Sequence, residues 1–287
     1  MSIVYLNGQY LPDDQALVSV LDRGFVFGDG VYEVIPVYWG QPFRLGQHLE
    51  RLNNSLTAIR MHDPLSATQW AELLTNLIRF NPSAGDQSLY VQITRGPAKR
   101  DHAIPQATKP TLFAMCNPIT APDQATLTRG VSVVTLEDIR WKYCHVKAIT
   151  LLPNVLLRAE AGEHGAVDAI LLRDNLVTEG TASNVFVWND GQLYTPPKSS
   201  YLLPGITRDL VLEIALQHGV RALEQDLTET ELRAAEEIWL TSSTKEILPV
   251  TQLNGRPVGT GVPGERWRTM LAWYQDYKRG LRNNLSA

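Results

Sequence analysis

The chain has 287 residues, 44% of them hydrophobic and 20% charged, with a formal net charge of −4; this is ordinary globular usage, enough for one large or two ordinary domains. No basic run exceeds two residues and no apolar run approaches the ~20 residues of a membrane span, which argues against nucleic acid and membrane as partners. Residues 1–8 lack the basic region and apolar stretch of a signal peptide, and the two cysteines, Cys116 and Cys144, do not form a closely spaced pair, so a reducing, cytoplasmic setting is expected.

In chain order, residues 3–6 and 9–11 flank Asn7-Gly8 and predict a β-hairpin. A β-rich segment at 31–38 turns near Gly40 and is expected to return as a strand through 43–45. Leu49, Leu52, Leu56 and Ile59 then recur at helical spacing. Ser66 is placed to cap a second helix bearing Trp70, Leu73, Leu74, Leu77 and Ile78. Strands are predicted at 88–94 and 111–116. Residues 118–130 contain Pro118 and Pro122, have no periodicity, and are expected to link a first domain (1–117) to a second (131–287).

The second half is predicted to begin with a strand at 131–136 and a helix around 154–163. Strands at 168–173 and 184–188 follow, the latter running into an Asn189-Asp190-Gly191 turn. Thr207 is read as the N-cap of a helix ending before Gly219. Thr228 and Glu231 form a capping-box signature, 238–241 a strand, Asn254-Gly255 a hairpin turn, and 266–281 a terminal helix. Strands and helices alternate irregularly, which places the chain in the α+β class with two domains.

Several residue groups have the chemistry of a site. Among the chain's few lysines, Lys147 is followed by the apolar run Ala148-Ile149-Thr150-Leu151-Leu152, a setting in which an amine can be held and its pKa lowered for Schiff-base chemistry. Gly205-Ile206-Thr207-Arg208 opens a helix whose N–H groups and dipole favour an anion such as phosphate. Thr241-Ser242-Ser243-Thr244 offers hydroxyls after a strand, and Arg51 a countercharge. Glu179, in a segment expected between two strands, could hold a pyridinium N–H. Arg100 and His102 lie two apart in a loop and together suit a carboxylate, and Tyr32 could donate a hydrogen bond into a pocket. The histidines and cysteines lack metal-ligand spacing, and there is no Gly-x-Ser-x-Gly elbow or Walker loop.

These pieces stand in the order found in class IV aminotransferases, and the chain resembles the D-amino-acid aminotransferase branch of that family over nearly its whole length. The resemblance is carried by Asp22-Arg23-Gly24-Phe25-Val26-Phe27-Gly28-Asp29-Gly30-Val31-Tyr32-Glu33, by Glu137-Asp138-Ile139-Arg140-Trp141 running on to Lys147, by Val177-Thr178-Glu179-Gly180, and by Gly205-Ile206-Thr207-Arg208-Asp209. It implies a two-domain fold type IV enzyme that binds pyridoxal 5'-phosphate between the two domains of each subunit of a homodimer. By the same resemblance Lys147 carries the cofactor and shuttles the proton, and Glu179 binds the pyridine nitrogen. Arg51, Ile206, Thr207, Ser242 and Ser243 hold the phosphate, and Leu203 lies under the ring. Tyr32, Arg100 and His102 take the substrate carboxylate, with the arginine and histidine coming from the neighbouring subunit.

The implied reaction is ping-pong transamination between a D-amino acid, such as D-alanine, and a 2-oxo acid, such as 2-oxoglutarate. Two departures from the pattern bear on the pocket: Thr181-Ala182-Ser183 replaces a serine-rich run, and Pro36 stands where a more flexible residue is usual. A branched-chain L-amino-acid aminotransferase is the nearest alternative, but those enzymes resemble Glu-Gly-Ile-Arg where this chain has Glu33-Val34-Ile35-Pro36. A 4-amino-4-deoxychorismate lyase lacks the Arg100/His102 pattern, and a non-enzymatic reading, a cofactor-binding or structural protein, would be supported if Lys147 failed to bond the cofactor.

Overall fold

The computed structural model describes residues 2–284. The chain divides into two compact units, one of Met1–Thr120 with Val146–Leu151 and one of Ala121–His145 with Leu152–Ala287.

The first unit begins with the expected hairpin, β1 (Ile3–Leu6) and β2 (Gln9–Pro12), where Asn7 and Gly8 both take positive φ, the backbone signature of a tight two-residue turn. A one-turn helix α1 (Arg23–Phe27), β3 (Gly30–Tyr38) and the two-residue β4 (Gln41–Pro42) follow. The return strand expected at 43–45 is therefore too long and too late: Arg44 is left-handed and Leu45 already opens α2 (Leu45–Ala58). Next come α3 (Ala67–Phe80), β5 (Gln87–Thr94) and β6 (Thr111–Pro118). Among the described residues the strands form an antiparallel six-stranded sheet in the order β2-β1-β6-β5-β3-β4.

Alternation decides which side chains meet the helices. Val31, Ile35 and Val37 of β3, with Leu89, Val91 and Ile93 of β5, form one core with Leu52 and Leu56 of α2 and with Trp70, Leu74 and Leu77 of α3. The Ser66 hydroxyl accepts from Gln69 N while the Gln69 side chain accepts from Ser66 N, a reciprocal capping box on α3. Ser66→Ala is expected to lower the unfolding free energy by about 1 kcal/mol, read from the midpoint of a urea transition.

The second unit starts inside the stretch expected to be an aperiodic linker. Asp123 caps a short helix there, α4 (Gln124–Arg129), because an acceptor one residue before a turn of helix satisfies its orphan amides whatever the apolar pattern. Then follow β7 (Val131–Glu137), α5 (Leu152–Glu163), β8 (Asp168–Arg173), β9 (Leu176–Gly180), β10 (Asn184–Asn189) and β11 (Gln192–Thr195). The chain ends through α6 (Ile206–Gln217), β12 (Ala222–Glu224), α7 (Glu229–Arg233), β13 (Glu237–Ser242), β14 (Glu246–Leu253), β15 (Arg256–Pro257) and α8 (Glu265–Asn284). The described strands make a mixed sheet ordered β12-β11-β10-β13-β14-β7-β8-β9, with β15 on β14. Val134, Ala169 and Leu171 pack with Leu157 and Ala161 of α5, while Val133 and Ile170, one residue out of phase, join a separate core with Val185, Ile238 and Leu232. No described helix is long and apolar enough to cross a membrane.

Candidate active site

Lys147 belongs to the first unit although it lies far along the chain. Its segment runs beside the start of β3: Val31 and Ala148 form an antiparallel bridge, Tyr32 N donates to Lys147 O at 2.9 Å, and Ile149 N donates to Gly30 O at 3.1 Å. Lys147 N donates to Ser55 Oγ of α2 at 3.1 Å, and the flanking Val146 and Ala148 are buried in the core. The backbone is thus held on both sides while the side chain stays half-buried. Its Nζ lies 4.2 Å from the centre of the Tyr32 ring, and no carboxylate pairs with it among the described residues. An amine without a carboxylate partner is available for nucleophilic and proton-transfer work.

Tyr32 and Glu33 point to opposite faces of β3. Tyr32 packs against Tyr90, ring centres 5.7 Å apart, and Val34 and Pro36 share its face by alternation. Glu33 falls on the helix-facing side, fully buried, where an isolated carboxylate would be very costly. Arg51 resolves this: its Nε donates to Glu33 Oε2 at 3.0 Å and its Nη2 to Oε1 at 2.5 Å, while His48 Nδ1 lies 3.0 Å from Oε1. Burial works to raise the Glu33 carboxyl, but the Arg51 charge and the His48 hydrogen bond outweigh it and hold the group well below the usual carboxylate range. Burial lowers His48 despite Glu33, so a neutral imidazole donates to an ionised acid. Arg51 is therefore oriented by Glu33, a partner that the sequence reading did not assign.

Glu33→Gln breaks this buried pair and is expected to cost about 3–5 kcal/mol of stability. Because the folded-state pKa of Glu33 is depressed, its contribution is fully present above the unfolded value of about 4.3 and is lost as pH falls through the folded value. Unfolding free energies measured from pH 6 down to pH 3 should fall less steeply in the variant than in the native protein; equal slopes would remove Glu33 from the acid response.

Arg100 and His102 are exposed on the loop after β5. Both address Phe27 at the end of α1, with the Arg100 guanidinium carbon 5.5 Å from the ring centre and the His102 ring centre 5.4 Å away.

In the second unit Glu179 lies on β9 rather than in a turn between strands, and it is buried. The turn reading failed because Leu176–Gly180 is short and its Thr178 and Glu179 break the apolar pattern. Arg140 Nη1 donates to Glu179 Oε1 at 2.5 Å, Leu203 N to Oε2 at 3.0 Å, and Asn184 Nδ2 to Oε2 at 3.3 Å. Burial pushes the Glu179 carboxyl up, opposed by Arg140 and the Leu203 amide. Every one of these partners is a donor, so the arrangement is complementary to the ionised form. Asp138 in turn fixes Arg140 by accepting from its Nε and Nη2, both at 2.9 Å, and also accepts from Thr178 Oγ1 at 3.1 Å. The Asp138-Ile139-Arg140 motif thereby acquires a physical role as the support of Glu179.

The same carboxylate is tied to the start of α6. Leu203 donates its N–H to Glu179 and accepts from Asn184 Nδ2 at 2.9 Å, which pins the peptide that leads into α6. The N-cap of α6 is Gly205, not Thr207, and no side chain caps it; Thr207 is the second helical residue and is only 5% exposed. A Cβ on Gly205 would lie 1.9 Å from Asn184 Oδ1, so any larger residue there would have to displace the Asn184 side chain. The α6 amides are left for another acceptor, as anion sites at helix N-termini require. Thr241 and Ser242 end β13 rather than following it. Thr241 pairs across the sheet with Asn184, and its Oγ1 is buried without a hydrogen-bond partner among the described residues.

Asp138, Arg140, Asn184 and His48 were not picked out as site residues from sequence. Asp138 and Arg140 stood inside a recognised motif, which was a signal; Asn184 and His48 gave none, since their partners lie on other elements.

The amino-transferase class IV family model matches residues 30–253. The chain is 40% identical over 261 residues to a D-alanine aminotransferase of Bacillus licheniformis, covering 91% of this chain and 92% of that protein. It is 37% identical over 278 residues to a D-alanine aminotransferase of Staphylococcus aureus, covering 96% and 98%. A T.th. branched-chain amino acid aminotransferase, solved with pyridoxamine 5'-phosphate, superposes with a TM-score of 0.88 at 26% identity, covering 96% of this chain and 93% of that one.

Proposed function

Because this chain belongs to the class IV aminotransferase family, we propose that it uses pyridoxal 5'-phosphate to exchange the amino group of a D-amino acid, such as D-alanine, with a 2-oxo acid, such as 2-oxoglutarate. The kinship with D-alanine aminotransferases at up to 40% identity over nine-tenths of the chain carries this reading. The strand β3 supports it, since Pro36, on the Tyr32 face by alternation, stands in place of the arginine expected of the branched-chain pattern.

The residues present fit the cofactor on two observations. A buried carboxylate is surrounded only by donors, ready for one more from a pyridinium, and the α6 amides open onto a glycine with no side chain capping them. When bound, pyridoxal 5'-phosphate supplies an electrophilic carbon for the substrate amine and an electron sink for the α-carbon. In the first unit Lys147 Nζ would bond that carbon at rest, then accept the substrate α-proton and return it from one fixed side. Arg51, aimed by Glu33, would add countercharge to the phosphate. In the second unit Glu179 would hold the pyridine nitrogen protonated, with Leu203 under the ring. Ile206 and Thr207, through amides and hydroxyl, would take the phosphate together with Ser242 and Ser243. Tyr32, Arg100 and His102 would bind the substrate carboxylate, the last two acting on a second copy of the chain in a homodimer. Both cysteines are free of disulfides, and a reducing, cytoplasmic setting is part of the same reading.

The test is the half-reaction. Purified protein loaded with cofactor is offered D-alanine and L-leucine separately while the visible absorbance is followed. Bleaching by D-alanine alone is the expected result. Bleaching by L-leucine alone would overturn the substrate assignment in favour of a branched-chain enzyme, and a response to neither would favour the lyase reading.

A further inference from the structure

The motif Asp22–Glu33 is not used up by Tyr32 and Glu33; its first half builds a support under the Arg100/His102 loop. Asp22 caps α1 through Gly24 N at 2.8 Å and accepts from Thr111 Oγ1 at 2.6 Å, which ties the helix to β6. Arg23 and Phe27, four apart, lie on one face of that turn, with the Arg23 guanidinium carbon 4.9 Å from the Phe27 ring centre. Arg23 is buried, bonded through Nε to Asp29 Oδ2 at 2.7 Å and through Nη1 to the carbonyl of Asp101 at 2.6 Å. Asp29 also takes Arg95 Nε at 2.8 Å and Nη2 at 3.0 Å. The loop is held at its start as well, since Ala98 N donates to Leu21 O at 3.2 Å.

Asp101 is the residue between Arg100 and His102. The Arg23 clamp therefore fixes the peptide from which both side chains spring, and Phe27 presents one ring to both of them. Two long exposed side chains on a loop would otherwise sample many rotamers, and each must be ordered before it grips a ligand. We propose that Phe27, with Arg23 behind it, is a positioning residue for the carboxylate-binding pair, presetting Arg100 and His102 for the substrate carboxylate. This rests on the D-amino-acid aminotransferase reading. Its chemistry is the attraction of the Arg100 guanidinium to an aromatic face together with the packing of the His102 ring on the same phenyl, each worth a few-fold in affinity.

The experiment compares Phe27→Leu, which keeps bulk but removes the ring, with Phe27→Tyr, which keeps the ring. Both are assayed as cofactor-loaded enzyme by D-alanine kinetics, bound-cofactor absorbance and hydrogen exchange over residues 97–104. Phe27→Leu is expected to raise the KM for D-alanine roughly five- to tenfold with kcat nearly unchanged, cofactor absorbance intact and exchange over 97–104 faster. Phe27→Tyr should restore the native KM, and Arg100→Ala should raise KM less in the Phe27→Leu background than in the native one. Unchanged KM and exchange in Phe27→Leu would overturn the proposal. So would a fall in kcat and cofactor absorbance matching the KM change, which marks a general structural defect. Native enzyme that binds cofactor but is not bleached by D-alanine would overturn the underlying reading, and the proposal with it.

Discussion

Lys147→Ala is expected to lower amino transfer by at least ~10⁴-fold, since it removes both the covalent attachment and the base, while leaving the protein folded. The second half of that expectation follows from the backbone. The segment is held by the Val31–Ala148 bridge and by the bonds from Tyr32 N, to Gly30 O and to Ser55 Oγ, none of which uses the lysine side chain. The side chain's neighbour is the Tyr32 ring. Borohydride treatment should therefore fix cofactor to the native protein and not to the variant, and added methylamine should recover part of the proton transfer. Turnover within a factor of about ten of native would assign the proton to another group.

Glu179→Gln is expected to slow α-proton removal by about 10²–10³-fold with cofactor binding largely retained. The variant keeps an acceptor for the Leu203 amide, and Arg140 keeps its two bonds to Asp138, so the support survives the loss of charge. What is lost is the negative charge that would hold a pyridine nitrogen protonated, and with it the electron sink. The measurement is the single-turnover rate with D-alanine and with α-deuterated D-alanine. A larger isotope effect with a slower rate is the expected pattern; an unchanged rate would end the pyridine-nitrogen assignment of Glu179.

How much of this was legible beforehand depends on the range of the interaction. The Asn7-Gly8 hairpin, the Ser66 and Thr228 capping boxes and the helical spacing of α2 and α3 are local, set by residues within four positions of one another, and they lie where the sequence predicts them. The short strands β9, β11 and β12 were not foreseen, because three to five residues do not establish a period and their pairing partners are far away. Thr207 was misread as a cap for a related reason: threonine is favoured in that role, but the cap is the glycine two residues earlier, which lies against the Asn184 side chain, a contact invisible in the local pattern.

By itself, the sequence determined the α+β class, the order of the motifs and the family, because residue identity and spacing survive in one dimension. Only the tertiary structure decided that residues 146–151 complete the first unit beside β3, that Glu33 orients Arg51, and that Asp138 and Arg140 support Glu179. It alone set Arg100 and His102 on one phenyl ring. Each of these joins residues a dozen or more positions apart, or depends on which face of a strand is buried, and a buried charge takes its partner from whichever element the fold brings within hydrogen-bond reach.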